Sequence, residues 1–343
     1  MSLTVGKHTG KVLSFGELLL RICPDANGEW LNENRLPFYV GGAELNVATA
    51  LSLWGLPSGY FTALPDNGMS AQLIVFLQEK GIDTSAIVKS GDRIGLYYLT
   101  QGQDLKHNAL IYDRANSSFS ALQTGQIDWD KLLNGVSWFH FSAICPAISQ
   151  NVADVCMEAL EAASKRNITI SVDMNYRAKL WQYGKSPVEI MPDLVKYCHI
   201  IMGNVWAAEK MLGIPVIPDI HKSGQKSIYL RESLKTSEAI KERYRGCQAV
   251  ANTFRFDATN EITYYTSLFI NGQFYTSNQY DTSKVTDKVG SGDCFMAGLI
   301  YGLYKNLDPQ QTLEFATAAA FEKLFINGDS TTKTVAEIEN SIK

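Results

Sequence analysis

The segment Asp287-Lys288-Val289-Gly290-Ser291-Gly292-Asp293 gathers residue types that could carry phosphoryl transfer. Two glycines two apart let a backbone approach a ligand and turn its amide protons inward. Phe295, Met296, Leu299, Ile300 and Leu303 then recur on one side, which predicts a helix from Asp293 to Tyr304. A helix N-terminus offers unpaired N–H groups and partial positive charge, a seat suited to phosphate. Asp293 at that start is placed to act as base for a substrate hydroxyl. The same residue is also an ordinary cap after a glycine turn, and its chemistry alone leaves both readings open.

A second candidate is Gly41-Gly42, which opens the first clear helix, Ala43 to Trp54. The missing side chains would make room for a sugar, and Asn46 could bond its hydroxyls. The plainer reading is a glycine turn with Asn46 on a solvated face. Neither G-x-x-x-x-G-K-[ST] nor an early G-x-G-x-x-G occurs, so P-loop and dinucleotide-binding readings lack support.

Strand candidates at 12–15, 58–64, 136–141, 168–172 and 199–202 alternate with helical patterns at 43–54, 69–80, 151–165 and 187–197. That rhythm predicts βαβ units, hence an α/β fold with a parallel sheet. Leu18 to Ile22 either extends the first strand or opens a neighbour. Between 93 and 115 the rhythm breaks: two strand-like stretches without an intervening helix read as a hairpin, suited to a lid. Asn271-Gly272, between strand candidates 262–270 and 273–278, signals a tight hairpin. The stretch 215–242 gives no clear pattern. A last helix is expected from Pro309 to Leu324.

These elements fit one domain spanning 1–343. The 45% apolar content supplies a sizeable core, and the net charge of -4 gives no field for a phosphate backbone, so nucleic acid is not an expected partner. Six cysteines, at 23, 145, 156, 198, 247 and 294, lack C-x-x-C spacing and read as reduced, buried thiols. No metal site is expected from the five histidines. No apolar run is long enough to span a membrane, and the N-terminus lacks an export signal, so a cytoplasmic location is expected.

The order of these segments resembles the ribokinase-like (PfkB) carbohydrate kinases over nearly the full length. Gly41-Gly42-Ala43-Glu44-Leu45-Asn46-Val47-Ala48 is similar to their N-terminal signature, and residues 285–298 to their C-terminal one, D-x-x-G-x-G-D with F-x-x-G. Leu96-Tyr97-Tyr98-Leu99, the run from Tyr112 to Ser120, and Asp173-Met174-Asn175-Tyr176-Arg177 resemble 2-keto-3-deoxygluconate kinases more narrowly. The resemblance implies a ribokinase-like three-layer α/β sandwich with a small β-sheet lid from segments near 17–40 and 93–115. It implies an ATP- and Mg²⁺-dependent kinase for a sugar acid, with a fructokinase-like ketose kinase and a weakly catalytic sugar-binding protein as alternatives. A homodimer or higher oligomer through the lid is a further family expectation.

Roles follow residue by residue. Asp293 matches the catalytic base, and the amides of Gly290, Ser291 and Gly292 match the anion hole. Gly41, Gly42, Asn46, Tyr98, Tyr112, Arg114, Asn175 and Arg177 match substrate contacts, with Tyr98 preferred over Tyr97. A guanidinium fork grips a carboxylate, which favours an acid over a neutral hexose. For Arg114 the bland alternative is an ion pair with Asp113 or another acid. Asn204, Arg255 and Asn327, with Gly290 and Gly292, are the expected nucleotide contacts.

The chain departs from the family in three places. Ala207 stands where many members carry the glutamate of N-x-x-E, which puts the metal arrangement in question, and Glu209 is not an obvious substitute. Asn252 to Phe256 replaces a glycine-rich nucleotide segment, and Ser291 replaces an alanine.

Overall fold

The computed structural model describes residues 8–24, 30, 35–100, 110–222, 224–257 and 261–343. A nine-stranded sheet forms the centre. Six strands run parallel, in spatial order Ser58–Phe61, Lys11–Phe15, Val136–Ser142, Thr169–Asp173, Ile200–Gly203 and Ala249–Asp257. Ile262–Ile270 and Gln273–Thr276 continue the sheet antiparallel, joined through Asn271 and Gly272, both at positive φ as a type I′ turn requires.

The parallel strands are apolar nearly throughout because both faces are covered. Successive side chains point to opposite faces. Val12, Trp138, Ile200, Met202, Ala249 and Ala251 therefore pack with helices Ala43–Leu53, Ser291–Tyr304 and Pro309–Lys323. Leu13, Phe15, Phe139, Phe141, Ile170, Val172 and Val250 pack on the other side with helices Gln150–Lys165, Pro187–Val195 and Val205–Leu212. The result is the expected α/β three-layer sandwich.

A separate four-stranded sheet carries the lid, in order Phe38–Gly41, Leu19–Ile22, Gly95–Tyr98 and Ile111–Asp113. Leu19–Ile22 thus opens this neighbouring sheet and does not extend the first strand. The expected hairpin forms between 95–98 and 111–113, and most of its connection lies outside the described residues.

One long helix went unread. Residues Lys226–Arg243 are helical although the sequence gives no apolar rhythm there. Its covered face is built largely of Glu232, Ser233, Thr236 and Ser237, with Tyr229 and Ile240. Small polar residues are covered by hydrogen bonds: Ser233 Oγ lies 2.7 Å from Ser267 Oγ, and Ser237 Oγ donates to the Ser233 carbonyl. A hydrophobicity period cannot report a face of that kind.

The helix that begins at the glycine loop is held by close contact with 309–323. A Cβ on Gly298 would lie 2.6 Å from Ala316 Cα, and one on Gly302 2.5 Å from a Thr312 methyl. Gly298→Val is expected to cost about 1–3 kcal/mol by overpacking. Urea unfolding should show a lower midpoint at unchanged slope, and an unaltered midpoint would refute the tight contact.

Candidate active site

The carboxyl ends of the parallel strands all open on one edge, where open α/β sheets bind ligands. After Phe15 the chain brings in Glu17, and after Asp173 it brings in Asn175 and Arg177. After Gly203 comes Asn204. Thr253 and Arg255 come from the end of 249–257. The loop before helix 291–304 crosses this edge and brings Gly290 to Asp293 to it.

Gly290 adopts φ +79°, and a Cβ there would fall 1.8 Å from the Asp329 carbonyl oxygen. Only glycine fits. Asp287 shapes the approach: its Oδ1 accepts the Val289 amide at 3.1 Å. Ser291 turns its hydroxyl away from the cleft, donating to the Ala320 carbonyl at 2.9 Å. Its replacement of alanine therefore leaves the amides of 290–292 undisturbed. Beside Gly292 there is open space.

Asp293 is buried in the first turn, and its Oδ2 accepts the Asn46 side-chain amide at 2.7 Å. Asn46 is buried rather than solvated, and its Oδ1 accepts the Ser330 hydroxyl. Burial pushes the Asp293 carboxyl up to about 7; the Asn46 amide and Arg177 pull it down, while Glu44 and Asp329 add to the rise. Burial, and then Asp293 itself, drive Asp173 well above the usual carboxylate range. Glu44 is likewise raised by burial, opposed by bonds from Ser142 and the Cys145 thiol.

Two spaces meet at Asp293, Asn175 and Arg177. The outer cleft, about 320 Å³, is bordered by Asn204, Ala207, Thr253, Arg255, Lys288 and the 290–292 loop. Its basic residues sit at the mouth around Asp257, which lies 3.5 Å from Arg255 Nε and 3.4 Å from Lys288 Nζ. The inner cavity, about 50 Å³, lies under the lid against Gly42, Asn46, Tyr97, Tyr112 and Arg114. A space of that size holds a few waters.

Most of the expected site residues come together, with four departures. Tyr97, not Tyr98, lines the inner cavity and donates to Asp329 Oδ2 at 2.6 Å; Tyr98 alternates to the opposite face, beside Trp30. Arg114 does line the cavity, but its Nε and Nη2 both engage Glu17 Oε2, so its charge is already answered. Asp113 pairs with Arg93 instead. Gly41 lies against Asp329, whose Oδ2 is 2.2 Å from where a Cβ would sit, and does not border the cavity. Asn327 lies away from the cleft, in a groove with Tyr39, Met69 and Phe76. Asn204 borders the cleft while its Oδ1 caps helix 205–212. Ala207 presents a methyl there, and Glu209 is not among the lining residues.

Glu17, Arg21, Lys323 and Asp329 were missed from the sequence, Asp173 and Lys288 were given no role within their motifs, and Tyr97 was passed over for Tyr98. Arg21 and Lys323 are buried, and a lone charge inside the apolar run Leu18–Ile22 was the one visible signal. Among the described residues no three acid, histidine or cysteine side chains could hold a metal together, and no helix is long and apolar enough to cross a membrane. All six cysteines are free and buried.

Comparison with known proteins agrees with this geometry. The sequence profile of the pfkB family carbohydrate kinases matches residues 9–332. The crystal structure of 2-dehydro-3-deoxygluconokinase from Thermotoga maritima is 33% identical, with a TM-score of 0.86 over 96% of this chain and 98% of that one. The 2-dehydro-3-deoxygalactonokinase of Haloferax volcanii is 24% identical over 98% of this chain and 97% of its own. A fructokinase from Xylella fastidiosa, solved with bound ATP, shares the fold at 18% identity and a TM-score of 0.74, over 97% of this chain and 98% of that one. With a glycine-built loop, a buried aspartate at its helix start and a lidded cavity beside it, this chain belongs to the pfkB family of carbohydrate kinases.

Proposed function

We propose that this kinase transfers the γ-phosphoryl group of ATP to the 6-hydroxyl of 2-keto-3-deoxygluconate, giving 2-keto-3-deoxy-6-phosphogluconate. The observation that carries the reading is Arg177, which borders both spaces beside Asp293. Its Nη1 donates to the Tyr176 carbonyl, and its buried Nε has no hydrogen-bond partner among the described residues. A buried donor left unsatisfied is costly, and an acid substrate would satisfy it. Arg114, neutralised by Glu17, is better suited to shaping the cavity than to gripping an anion. Tyr112 and Tyr97 supply hydroxyls, and Gly42 with Asn46 supplies room and an amide. The 33%-identical relative, named for phosphorylating the same acid, supports the choice. A fructokinase reading remains the alternative, but a neutral ketose offers Arg177 no charge.

The outer cleft suits a nucleotide phosphate chain. Gly290 and Gly292 bring amides to an open surface, and Arg255 and Lys288 add positive charge at its mouth. Asn204 and Thr253 border the same space. With no protein cage among the described residues, a Mg²⁺ ion would be held largely by the phosphates and water, and Asp173 and Asn204 are among the oxygen-bearing side chains of the cleft that could meet those waters. When bound it would neutralise phosphate charge.

In the transfer, the hydroxyl oxygen bonds to the γ-phosphorus as the bond to the β–γ bridging oxygen breaks. Asp293 accepts the hydroxyl proton, and ADP departs. The 290–292 amides stabilise charge on the transferring group. The lid keeps water from competing as acceptor.

In a coupled assay with ATP and Mg²⁺, 2-keto-3-deoxygluconate should give a higher kcat/KM than its galactonate epimer or fructose; a faster rate with either would displace the assignment. Arg177→Leu should lower kcat/KM for the acid about 10–100-fold, the worth of a charged hydrogen bond, and a value close to wild type would remove Arg177 from acid recognition.

Asp293→Asn should cut kcat about 10²–10⁴-fold while nucleotide binding persists, and undiminished turnover would rule out its role as base. Wild-type kcat should fall as pH drops below about 7, where Asp293 takes up its proton. Its folded pKa is raised, so its stabilising contribution is complete at acid pH and is lost as pH rises from about 4 through about 7. The Asn variant should accordingly melt higher than wild type at pH 8 but not at pH 4.

A further inference from the structure

Arg21 is a wholly buried cation that the transfer chemistry does not use. It grows from the lid strand Leu19–Ile22, yet its ionic partners lie off the lid. Nη2 donates to Asp287 Oδ2 at 2.5 Å. Nε lies 2.8 Å from Asp329 Oδ1, an ion contact without hydrogen-bond alignment. The Tyr39 ring, from the adjacent lid strand, lies 4.6 Å from its Cζ. On the strand's other side, Tyr97 donates to the second oxygen of Asp329. Three lid strands thus converge on two carboxylates that belong to the main domain.

Both carboxylates lead to the reaction centre in short steps. Asp287 accepts the Val289 amide and so sets the turn that delivers Gly290. Its own amide, with that of Thr286, donates to the Leu324 carbonyl. The Asp329 carbonyl packs against Gly290, and the next residue, Ser330, donates to Asn46, which holds Asp293. Lys323, buried beneath the loop, bonds the Ile326 carbonyl and faces the same acids. Arg21 and Lys323 against Asp287 and Asp329 make a set of two opposed charge pairs.

We infer that Arg21 is a positioning residue: it ties the seated lid to the Asp287–Gly290 turn and to the Asn46–Asp293 pair, so that the anion loop and the base are aligned only when the lid is down. A guanidinium can reach two carboxylates from one fixed plane, and an ammonium cannot. This inference rests on the phosphoryl-transfer reading but not on the identity of the acceptor.

The test compares wild type, Arg21→Lys, Arg21→Met and Arg21→Met/Asp287→Asn on whichever sugar wild type phosphorylates best, so an error in the acceptor assignment leaves it intact. Arg21→Lys should fold with an unchanged circular dichroism spectrum. It should lose kcat about 10–100-fold from misalignment, with KM for sugar and ATP each within about threefold. Arg21→Met leaves the acids undercompensated and should move the acid limb of the kcat–pH profile to higher pH. The double variant restores the charge count and should return the limb to the wild-type position while kcat stays low. The inference is overturned if Arg21→Lys keeps kcat within about twofold of wild type. It is equally overturned if the lost kcat tracks only the unfolded fraction in thermal melts, or if the acid limb stays fixed in all variants.

Discussion

In the proposed transfer Asp293 keeps a titratable carboxyl under protein cover, where a hydroxyl losing its proton beside a phosphoryl group is shielded from water. An isolated buried carboxylate is costly, so it either gains partners or stays protonated. Asn46 supplies a hydrogen bond, the start of helix 291–304 supplies a favourable dipole, and Arg177 supplies charge. Helix 43–53 is consequently buried on nearly all sides, with Glu44 and Asn46 inside it among leucines and valines. Gly42 makes that possible: at φ +134° it lets the helix start where any side chain would strike the Glu17 carbonyl. Beyond burial itself, Glu44 and Asp329 hold the proton affinity of Asp293 up. In the proposed reading this makes Asp293 a base poised near neutrality.

The lid answers a different demand. Its strands bury Leu19, Tyr97 and Leu99 with Val289 of the catalytic loop, a small apolar contact. The rest of its attachment there is polar, through Arg21 to Asp287 and Asp329 and through Tyr97 to Asp329, while Arg114 and Glu17 tie its outer strand to the strand-end loop. Buried ion pairs contribute little net stability against their desolvation, but a displaced one is penalised steeply. An attachment of that type favours one seating of the lid over near alternatives. The inner cavity beneath it measures about 50 Å³, so in the proposed reading the acceptor is admitted as the lid shifts.

Local sequence exposed those features whose cause is local. The glycine loop was readable because Gly290 and Gly292 precede an apolar helix, and strand polarity was readable from apolar runs. Features made by distant segments were hidden. Nothing near Arg21 announces Asp287 or Asp329, and nothing near Arg114 announces Glu17. Tyr97 and Tyr98 are indistinguishable until strand register assigns one to the cavity. Asn327 follows the alanine-rich helix directly, yet the chain turns at Gly328, φ +89°, toward the lid. Helix 226–243 escaped because its inner face pairs hydroxyls rather than burying hydrocarbon.

The lid strands 19–22 and 38–41 lie directly before helix 43–53, the helix that carries Asn46, and the other two strands are a later excursion of the same chain. The lid is therefore not a cassette. It cannot be transplanted by recombination at two clean junctions without disturbing the helix whose Asn46 bonds Asp293. New acceptors are explored more simply by exchanging individual side chains around the cavity. A lineage built this way should diversify its sugars gradually and keep its phosphoryl chemistry, because the two are written into one continuous thread.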